Sequence, residues 1–547
     1  MKTNVSLCIV AALMVAACGD PSHRHNSGEK VSVINSEPDE VMEEEVEVTS
    51  NEAALMEPSA NATSKMILSS PPPPQQRNAE TYKEIKENSF VAVAQQPVTT
   101  FSADVDRAAY ANVRRIIGYG QIPPKDAVRI EEMVNYFDYD YPAPEEGSVS
   151  PLRVSPELAP APWNPNHLLL RIGLQAKKID LAKAPPSNIV FLIDVSGSMD
   201  EENKLPLLKS SFKMLLEQLR PDDKIAIVTY ANGTKVALPS TSVKDKEKII
   251  KVLDNLYASG GTSGGRGIQL AYEQAQKSFI KNGNNRIILA TDGDFNIGIN
   301  NTTDLEKFIE KQRESGIYMS VLGFGIGNYR DDMAETIADK GNGNYAYIDN
   351  ITEAKKVLVN ELSGTLFAVA KDVKLQLEFN PKYVKEYKLI GYENRMLANE
   401  DFTNDKKDAG EIGAGHTVTA LYELVPSDGK VAQSLRYQSQ ELNEKGKGNE
   451  LGFLKIRYKD PKVKDAKSVE ITEPLVFNKK ALKETSADYR FAASVAEFGI
   501  LLRDNSNKAN ATYDQVIELA EGAIGKDPEG YRKEFVRLVK SVKMLPK

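Results

Sequence analysis

The stretch FLIDVSGSMDEENK, residues 191–204, places one carboxylate and two hydroxyls at the end of an apolar run. Asp194 closes the run, and Ser196 and Ser198 follow at alternate positions with Gly197 between them. Alternate side chains of an extended backbone point the same way, and glycine lets the chain bend between the serines. Taken alone, the pattern is also typical of a turn whose side chains bond to nearby backbone. The surrounding sequence has to decide between the two interpretations.

The region around this stretch alternates between strand-like and helix-like segments. Short runs rich in β-branched residues predict strands that are buried on both faces. They are NIVFLID (188–194), KIAIVTY (224–230), RIILATD (286–292) and YMSVLGFG (318–325). Helical stretches lie between them, such as KLPLLKSSFKMLLEQL (204–219) and TTDLEKFIEKQRESG (302–316). This order predicts an α/β domain over residues 186–364, with a doubly wound, mostly parallel sheet.

Two further segments bring oxygen atoms to the same edge of the predicted sheet. SGGTSGGRG (259–267) is a glycine-rich loop before a helix, and LATDGD (289–294) ends a buried strand. Ligands of open parallel sheets bind outside the carboxyl ends of the strands, where these segments lie. Oxygen donors without nitrogen or sulfur suit a hard cation such as Mg²⁺. The predicted metal ligands are Asp194, Ser196, Ser198, Thr262 and Asp292.

The order of these five residues resembles the von Willebrand factor type A (VWA) domain. Its metal-ion-dependent adhesion site is written D-x-S-x-S, then a distant T, then a distant D, and no position is substituted here. The flanking segments FSADVDRAAYANVRR (101–115) and ADYRFAASVAEFGILLRD (487–504) resemble those of the YfbK-like group of bacterial VWA lipoproteins. The match supports one continuous family from about residue 90 to the end.

The resemblance implies how the site works. Ser196 and Ser198 would bind a divalent cation directly, Mg²⁺ or another such as Mn²⁺ or Ca²⁺. Thr262 and the aspartates would act directly or through water. An Asp or Glu of an unidentified protein partner would then complete the coordination shell of the ion. We therefore expect an adhesion-type binding protein.

Strand-like segments flank the α/β region on both sides. Residues 152–176 alternate before it, and DVKLQLEFN (372–380) and HTVTALYELV (416–425) alternate after it. We expect the two flanks to form one β-rich domain into which the α/β domain is inserted. The N-terminal flank, 89–185, would run helices then strands, and the C-terminal flank, 365–547, strands then a helical tail. We expect the apolar faces of the tail helices to pack in the core rather than against a partner.

The N-terminal segment has the build of an export signal. MKTNVSLCIVAALMVAAC (1–18) combines an early lysine, a short apolar core and small residues before Cys18. VAAC (15–18) resembles the bacterial lipobox, which predicts a signal peptide over 1–17 and lipidation of Cys18; the alternative is an ordinary cleavage site with an incidental cysteine. Residues 18–88, acidic and rich in proline, predict a disordered tether. Gly19 after the cysteine favours the outer membrane, so we expect a lipid-anchored protein of the bacterial cell envelope, facing the periplasm or the surface.

Charge and cysteine content exclude other classes of function. The 69 basic and 77 acidic residues give a net charge of −8, so no overall positive field would hold nucleic acid. Cys8 and Cys18 are the two cysteines of the sequence, so the exported part would carry no disulfide and no zinc thiolate.

Enzyme signatures are missing from the sequence. The glycine-rich loop lacks the lysine of a P-loop, no H-E-x-x-H pair occurs, and the four histidines are scattered. We do not expect an enzyme. Two alternatives to adhesion stay open at this point: an envelope assembly scaffold whose metal site is structural, and a metal-assisted hydrolase.

Overall fold

A computed structural model describes most of the chain beyond the predicted tether. The described residues are 80–103, 106–262, 264–293, 302–327, 329–428, 448–463, 466–504 and 508–546. The predicted signal peptide, Cys18 and nearly all of the predicted tether lie outside the described residues. Within them, no helix is long and apolar enough to cross a membrane.

The described strands and helices follow one another in three blocks along the chain. The strands are β1 (Val91–Ala92), β2 (Val98–Ser102), β3 (Leu152–Ala161), β4 (Asn164–Ala176), β5 (Ser187–Asp194), β6 (Lys224–Tyr230), β7 (Thr234–Ser242), β8 (Asn284–Thr291), β9 (Ile317–Gly323), β10 (Tyr345–Tyr347), β11 (Ala368–Phe379), β12 (Val384–Ile390), β13 (Gly410–Gly413), β14 (Thr417–Pro426), β15 (Glu450–Lys459) and β16 (Val469–Val476). The α-helices are α1 (Ala108–Gly118), α2 (Ile130–Asn135), α3 (Leu205–Gln218), α4 (Lys246–Asp254), α5 (Gly264–Lys277), α6 (Thr302–Arg313), α7 (Asp331–Lys340), α8 (Ile351–Lys355), α9 (Leu362–Leu366), α10 (Ala487–Leu502), α11 (Tyr513–Glu521) and α12 (Tyr531–Met544).

The central block is a six-stranded sheet in the order β10-β9-β8-β5-β6-β7. Every neighbouring pair is parallel except β6 and β7. Alternate residues of β5 enter two separate cores: Leu192 packs with α5 on one face, and Phe191 stacks on Phe212 of α3 on the other. All eight residues of β5 are buried, which explains its unbroken apolar sequence. The predicted doubly wound α/β fold is confirmed.

The antiparallel edge strand β7 was not anticipated from the sequence. A short turn joins it to β6, closed by a hydrogen bond from the Ala231 amide to the Gly233 carbonyl. Its residues are partly exposed, so it has no continuous apolar run to mark it. Strands β5, β6, β8 and β9 lie at or within a few residues of the runs quoted above, whereas the short edge strand β10 matches none of them.

The flanks form two five-stranded antiparallel arrangements built from both sides of the insertion. One sheet has the order β1-β12-β14-β4-β3; the other has β13-β11-β15-β16, with β2 also paired to β11. Gln175 of β4 lies opposite Thr417 of β14, and Phe101 of β2 lies opposite Leu375 of β11. Both sheets bury apolar residues in one shared core. The prediction of a split β-rich domain with the α/β domain inserted is therefore confirmed.

A helical layer covers this split domain. Helices α1 and α2 pack with α10, α11 and α12 around a core that contains Tyr110, Phe137 and Trp163. The apolar faces of the tail helices are buried there, through Phe491, Val495, Phe498, Leu502, Phe535, Val536, Leu538 and Val539. The expectation that these faces serve the core is confirmed.

Buried ion pairs join the helical layer to the α/β domain. Arg129, just before α2, pairs with Asp331 at the start of α7. Arg114 of α1 pairs with Asp349 and Glu353 at the last helical segment of the α/β domain, at 2.5 and 2.7 Å. That segment runs through α8, a π-helical turn at Lys356–Asn360, and α9. The two parts of the chain are thus connected by charge as well as by apolar contact.

Candidate metal centre

Asp194 is fixed at the carboxyl end of β5. Its side chain is fully buried. The Ser196 amide donates a hydrogen bond of 2.8 Å to its Oδ1 atom, and the Thr291 hydroxyl donates a longer one of 3.4 Å to Oδ2. Because Thr291 ends β8, the carboxylate of Asp194 ties together the ends of two neighbouring strands.

The two serine hydroxyls lie side by side just beyond Asp194. Ser196 Oγ and Ser198 Oγ are 3.1 Å apart, within hydrogen-bond distance. Ser196 is almost fully buried, and Ser198 is half-buried. A single 3₁₀ turn, Gly197–Asp200, follows Ser196, and buried Met199 anchors it in the core. The turn therefore holds both hydroxyls at the sheet edge.

The glycine-rich loop is pinned against this turn by backbone hydrogen bonds. The Gly197 amide donates to the Gly260 carbonyl at 2.8 Å, and the Ser259 amide donates to the Val195 carbonyl at 2.7 Å. Gly260 has φ +78°, and a Cβ there would lie 2.3 Å from the Asn232 amide nitrogen, so only glycine fits. These hydrogen bonds hold Gly260 against the serine turn. Thr262 follows two residues later in the chain, and its side chain is half-buried.

Asp292 follows β8 on the same edge of the sheet and is fully buried. The Lys204 ammonium donates a hydrogen bond of 3.2 Å to Asp292 Oδ2 and one of 2.9 Å to the Ser198 carbonyl. Lys204 is only 3% exposed. The ammonium thus joins the serine turn to the third predicted segment.

Lys204 was not anticipated as part of the site. It is the last residue of the opening stretch, and in the sequence it reads as the polar start of helix α3. Its space comes from Gly325 in the distant turn GFG (323–325), and no local sequence pattern links that glycine to the lysine. Gly325 has φ +81°, and a Cβ there would lie 2.3 Å from Lys204 Cε.

Burying two carboxylates close together carries an electrostatic cost in free energy. Burial raises the pKa of Asp194 to about 6, and the nearby Asp292 carboxylate adds to the rise, while hydrogen bonds from Ser196 oppose it. Removing carboxylates from water is costly unless positive charge compensates them. Two such groups beside a pair of hydroxyls fit a hard divalent cation, which prefers oxygen ligands.

This donor set differs from the common carboxylate and histidine clusters. In the part of the chain that the structure describes, no three His, Cys, Asp or Glu residues are grouped so that they could hold a metal. The candidate centre relies instead on hydroxyls together with two carboxylates. The ligand roles of Asp194, Ser196, Ser198, Thr262 and Asp292 stay a prediction, and Cys18 lies outside the described residues.

A large cleft lies elsewhere, at the opposite end of the parallel sheet. Its volume is about 1320 Å³, and its lining includes Arg286 and Tyr318 at the starts of β8 and β9, with Lys371 and Glu411 from the flanking domain. The candidate metal centre does not line it. The cleft and the candidate metal centre are therefore separate features of the molecule.

The histidines give no support for a hydrolytic triad. His167 contacts Glu423 at 2.6 Å in the flanking domain, and His416 is buried just before β14. Among the described residues, no histidine forms a hydrogen bond with Ser196 or Ser198. Within the described ranges, the serine pair thus has no histidine positioned as a general base.

The doubly wound sheet, with hydroxyls and carboxylates gathered at its carboxyl edge, defines a VWA domain. The family model "von Willebrand factor type A domain" matches residues 188–360, and the model "von Willebrand factor" matches residues 76–171. The model "Uncharacterized protein YfbK, C-terminal" matches residues 364–545. VWA domains commonly bind a divalent metal.

Similarity to one relative extends over most of the chain. The chain is 48% identical over 465 residues to YfbK of Escherichia coli (strain K12), covering 84% of this chain and 80% of that protein. It therefore belongs to the YfbK family of VWA proteins. Protein sll0103 of Synechocystis is 30% identical over 185 residues, covering 34% of this chain and 43% of that protein.

The solved VWA structure from Catenulispora acidiphila covers 71% of this chain and 89% of its own, at 15% identity and a TM-score of 0.39.

Proposed function

We propose that this protein is a metal-dependent, adhesion-type lipoprotein of the bacterial envelope that binds an acidic side chain of another protein. The observation that supports this best is the convergence of two buried carboxylates and a hydroxyl pair at the open edge of the sheet. Asp194 and Asp292 are fully buried, and Ser196 and Ser198 lie 3.1 Å apart at Oγ. Membership of the VWA family indicates a function in protein interaction, and it favours binding over catalysis.

The residues of such a site would have two different roles, binding the cation and balancing its charge. Ser196, Ser198 and Thr262 would hold a divalent cation, Mg²⁺ or another such as Mn²⁺ or Ca²⁺, through neutral hydroxyls. Asp194 and Asp292 would balance its charge directly or through water. When bound, the cation supplies positive charge that attracts a carboxylate. The pinned serine turn and glycine-rich loop keep the donors in place, so little ordering is needed when a ligand arrives.

The envelope location is proposed from the N-terminal sequence. Lipidation at Cys18 would anchor the protein, and residues 18–79 would let the folded part reach a partner away from the membrane surface. The prediction of a tether was wrong for residues 80–88, which pack on the folded part, where Glu80 pairs with Arg115 at 2.8 Å. We propose the outer membrane as the location because Gly19, rather than aspartate, follows the cysteine.

The test is a divalent titration of the full-length lipoprotein in detergent. Isothermal calorimetry with Mg²⁺ and Mn²⁺ should show uptake by the wild type. Ser198→Ala, which removes one hydroxyl, should weaken uptake at least about tenfold. Ser210→Ala is the matched control, because this exposed serine of α3 bonds only to the Pro206 carbonyl of its own helix. Absence of divalent uptake by the folded wild type would contradict the proposal.

A partner experiment then separates adhesion from the alternative of a scaffold with a structural metal. The backbone hydrogen bonds of Gly260 and Ser259 favour a rigid site, and a rigid site is also compatible with a structural metal. For adhesion, a partner cross-linked in envelope extract should be lost with a chelator and with Asp194→Ala. A scaffold would retain its partner under both treatments. Thermal melting of each sample shows whether the fold has survived.

A further inference from the structure

The candidate metal centre already contains one positive charge of its own. The Lys204 ammonium is 3.2 Å from Asp292 Oδ2 and 2.9 Å from the Ser198 carbonyl, and the side chain is 3% exposed. Lysines are rarely buried to this degree without a partner, and this one is held by the site itself. It is the residue that precedes helix α3, so it is fixed at its backbone as well.

The path of the lysine side chain is shaped by its surroundings. Its Cε atom packs where a side chain on Gly325 would otherwise be, and Gly325 adopts φ +81°. Glu201 lies 3.5 Å from the ammonium, but it is 55% exposed, so water screens its charge. The interaction with fully buried Asp292 is screened much less. Lys204 is therefore directed at the carboxylate rather than at solvent.

Three buried charged groups among the described residues of the centre, Asp194, Asp292 and Lys204, give a simple balance. Asp194 and Asp292, when ionised, contribute two negative charges, and Lys204 contributes one positive charge. With a divalent cation added, these three groups and the ion together carry a net charge of +1. Without Lys204, the same centre would be neutral when loaded. The lysine thus changes what a loaded site offers to an incoming anion.

We propose that Lys204 sets the charge of the metal centre, weakening divalent affinity while leaving a positive charge for a carboxylate ligand. The inference rests on the proposed function, because it concerns the same site. Like charges in a partly dry site repel, so the ammonium opposes entry of the cation. The same charge attracts the acid that would complete the loaded site. One residue therefore affects the two binding steps in opposite directions.

Lys204→Met tests this inference, because methionine keeps most of the apolar stem and removes the charge. Calorimetry with Mg²⁺ should show at least about tenfold tighter binding than the wild type. Acetate then serves as the anionic probe. In protein saturated with Mn²⁺, relaxation of the acetate methyl protons measures acetate near the ion. Its affinity should fall at least about threefold in the variant.

Controls separate charge from packing. Lys213→Met, within helix α3 at a partly exposed pair with Asp254, should change neither affinity. Lys204→Arg keeps the positive charge and should behave more like the wild type than Lys204→Met does. If Lys204→Met melts below the assay temperature, Lys204→Gln replaces it with the same expectations.

The outcomes also distinguish this inference from the function on which it rests. A wild type that takes up no divalent cation contradicts the proposed function. A wild type that binds Mg²⁺, with a folded Lys204→Met variant of equal or weaker Mg²⁺ affinity, overturns the role of Lys204 alone. Unchanged acetate affinity in a variant that binds Mg²⁺ more tightly also overturns it, because the two effects must have opposite signs.

Discussion

The Arg129 guanidinium and the Asp331 carboxylate form a buried ion pair, with Nη1 and Oδ2 2.5 Å apart and neither side chain more than 2% exposed. Asp331 also accepts a hydrogen bond of 2.7 Å from the Tyr345 hydroxyl. Burial lowers the pKa of Arg129, but Asp331 and Glu132 more than offset this, so the pKa rises well above its ordinary value. The pair connects the flanking helices to the VWA domain.

Loss of one partner of this pair should be costly. Asp331→Asn leaves the Arg129 guanidinium buried with much of its countercharge removed, and we expect a loss of about 3–5 kcal/mol in the free energy of unfolding. Urea denaturation measures the loss. Glu521→Gln is the control, because Glu521 pairs with Lys540 where both side chains are about half exposed, and it should cost less than about 1 kcal/mol. Equal effects of the two changes would contradict the importance of the buried pair.

The single tryptophan should report unfolding of the whole described body. Trp163 is fully buried in the flanking domain, and its Nε1 donates a hydrogen bond of 3.0 Å to Glu423. Because buried ion pairs join this domain to the VWA domain, we expect tryptophan fluorescence and far-ultraviolet circular dichroism to give one coincident urea transition. Two separated transitions would show that the domains unfold independently.

Glu497 should make stability depend on pH. It is fully buried in α10, and burial raises its pKa to about 8, although a hydrogen bond from the Thr512 amide opposes the shift. Since the carboxyl loses its proton at lower pH in the unfolded chain, this group stabilises the fold at low pH. The contribution falls as pH rises from about 4.5 to 8.

Glu497→Gln should remove that slope. The free energy of unfolding of the variant minus that of the wild type should be about 1–3 kcal/mol larger at pH 7.5 than at pH 5.5. Urea denaturation at both pH values measures the gain. Glu518→Gln, at an exposed position of the neighbouring helix α11, is the control and should show no such gain. A parallel pH dependence of wild type and Glu497→Gln would refute the assignment.

Gly364 should tolerate no side chain. It lies in α9 at the end of the VWA domain, and a Cβ there would be 1.9 Å from Nε2 of His416. We expect Gly364→Ala to cost about 1–3 kcal/mol by overpacking. Gly118→Ala is the control, because no atom lies within 4 Å of the position of its Cβ.

A second substitution identifies the cause of the overpacking. Burial lowers the pKa of His416 to about 3, helped by the charge of Arg107, so the ring stays neutral and acts as packing. His416→Ala in the Gly364→Ala background should therefore recover part of the lost stability in thermal melts. No recovery would mean that the cost arises elsewhere.

Much of the fold could be predicted because the relevant signals are local. KIAIVTY coincides with β6, since a strand covered on both faces has an unbroken apolar run. β7 escaped prediction because its partly exposed residues carry no such run. The insertion could be inferred only in outline, from strand-like segments on both sides of the α/β region that were expected to form one domain. The partner of each strand depends on contacts such as that of β4 with β14, which leave no local pattern.

Some residues of the candidate site could likewise be predicted from local sequence, and others could not. Asp194, Ser196 and Ser198 follow from a short spacing that a strand end converts into proximity. Lys204 was missed because its role depends on a distant glycine, Gly325, that gives it room.

The ion pair between the domains was also missed. A single arginine before a helix, Arg129, gives no indication that its partner lies about two hundred residues further along the chain.

The insertion has a consequence for the order of assembly on the ribosome. β4 emerges first, yet the strand that covers its edge, β14, is synthesised only after the entire VWA domain. The VWA sheet, in contrast, draws all its strands from one continuous segment. Local contacts form faster than distant ones, so β3 and β4 can pair with each other and the inserted domain can mature while the other edge of β4 waits for β14. That open edge would be the part of the nascent chain most in need of a chaperone.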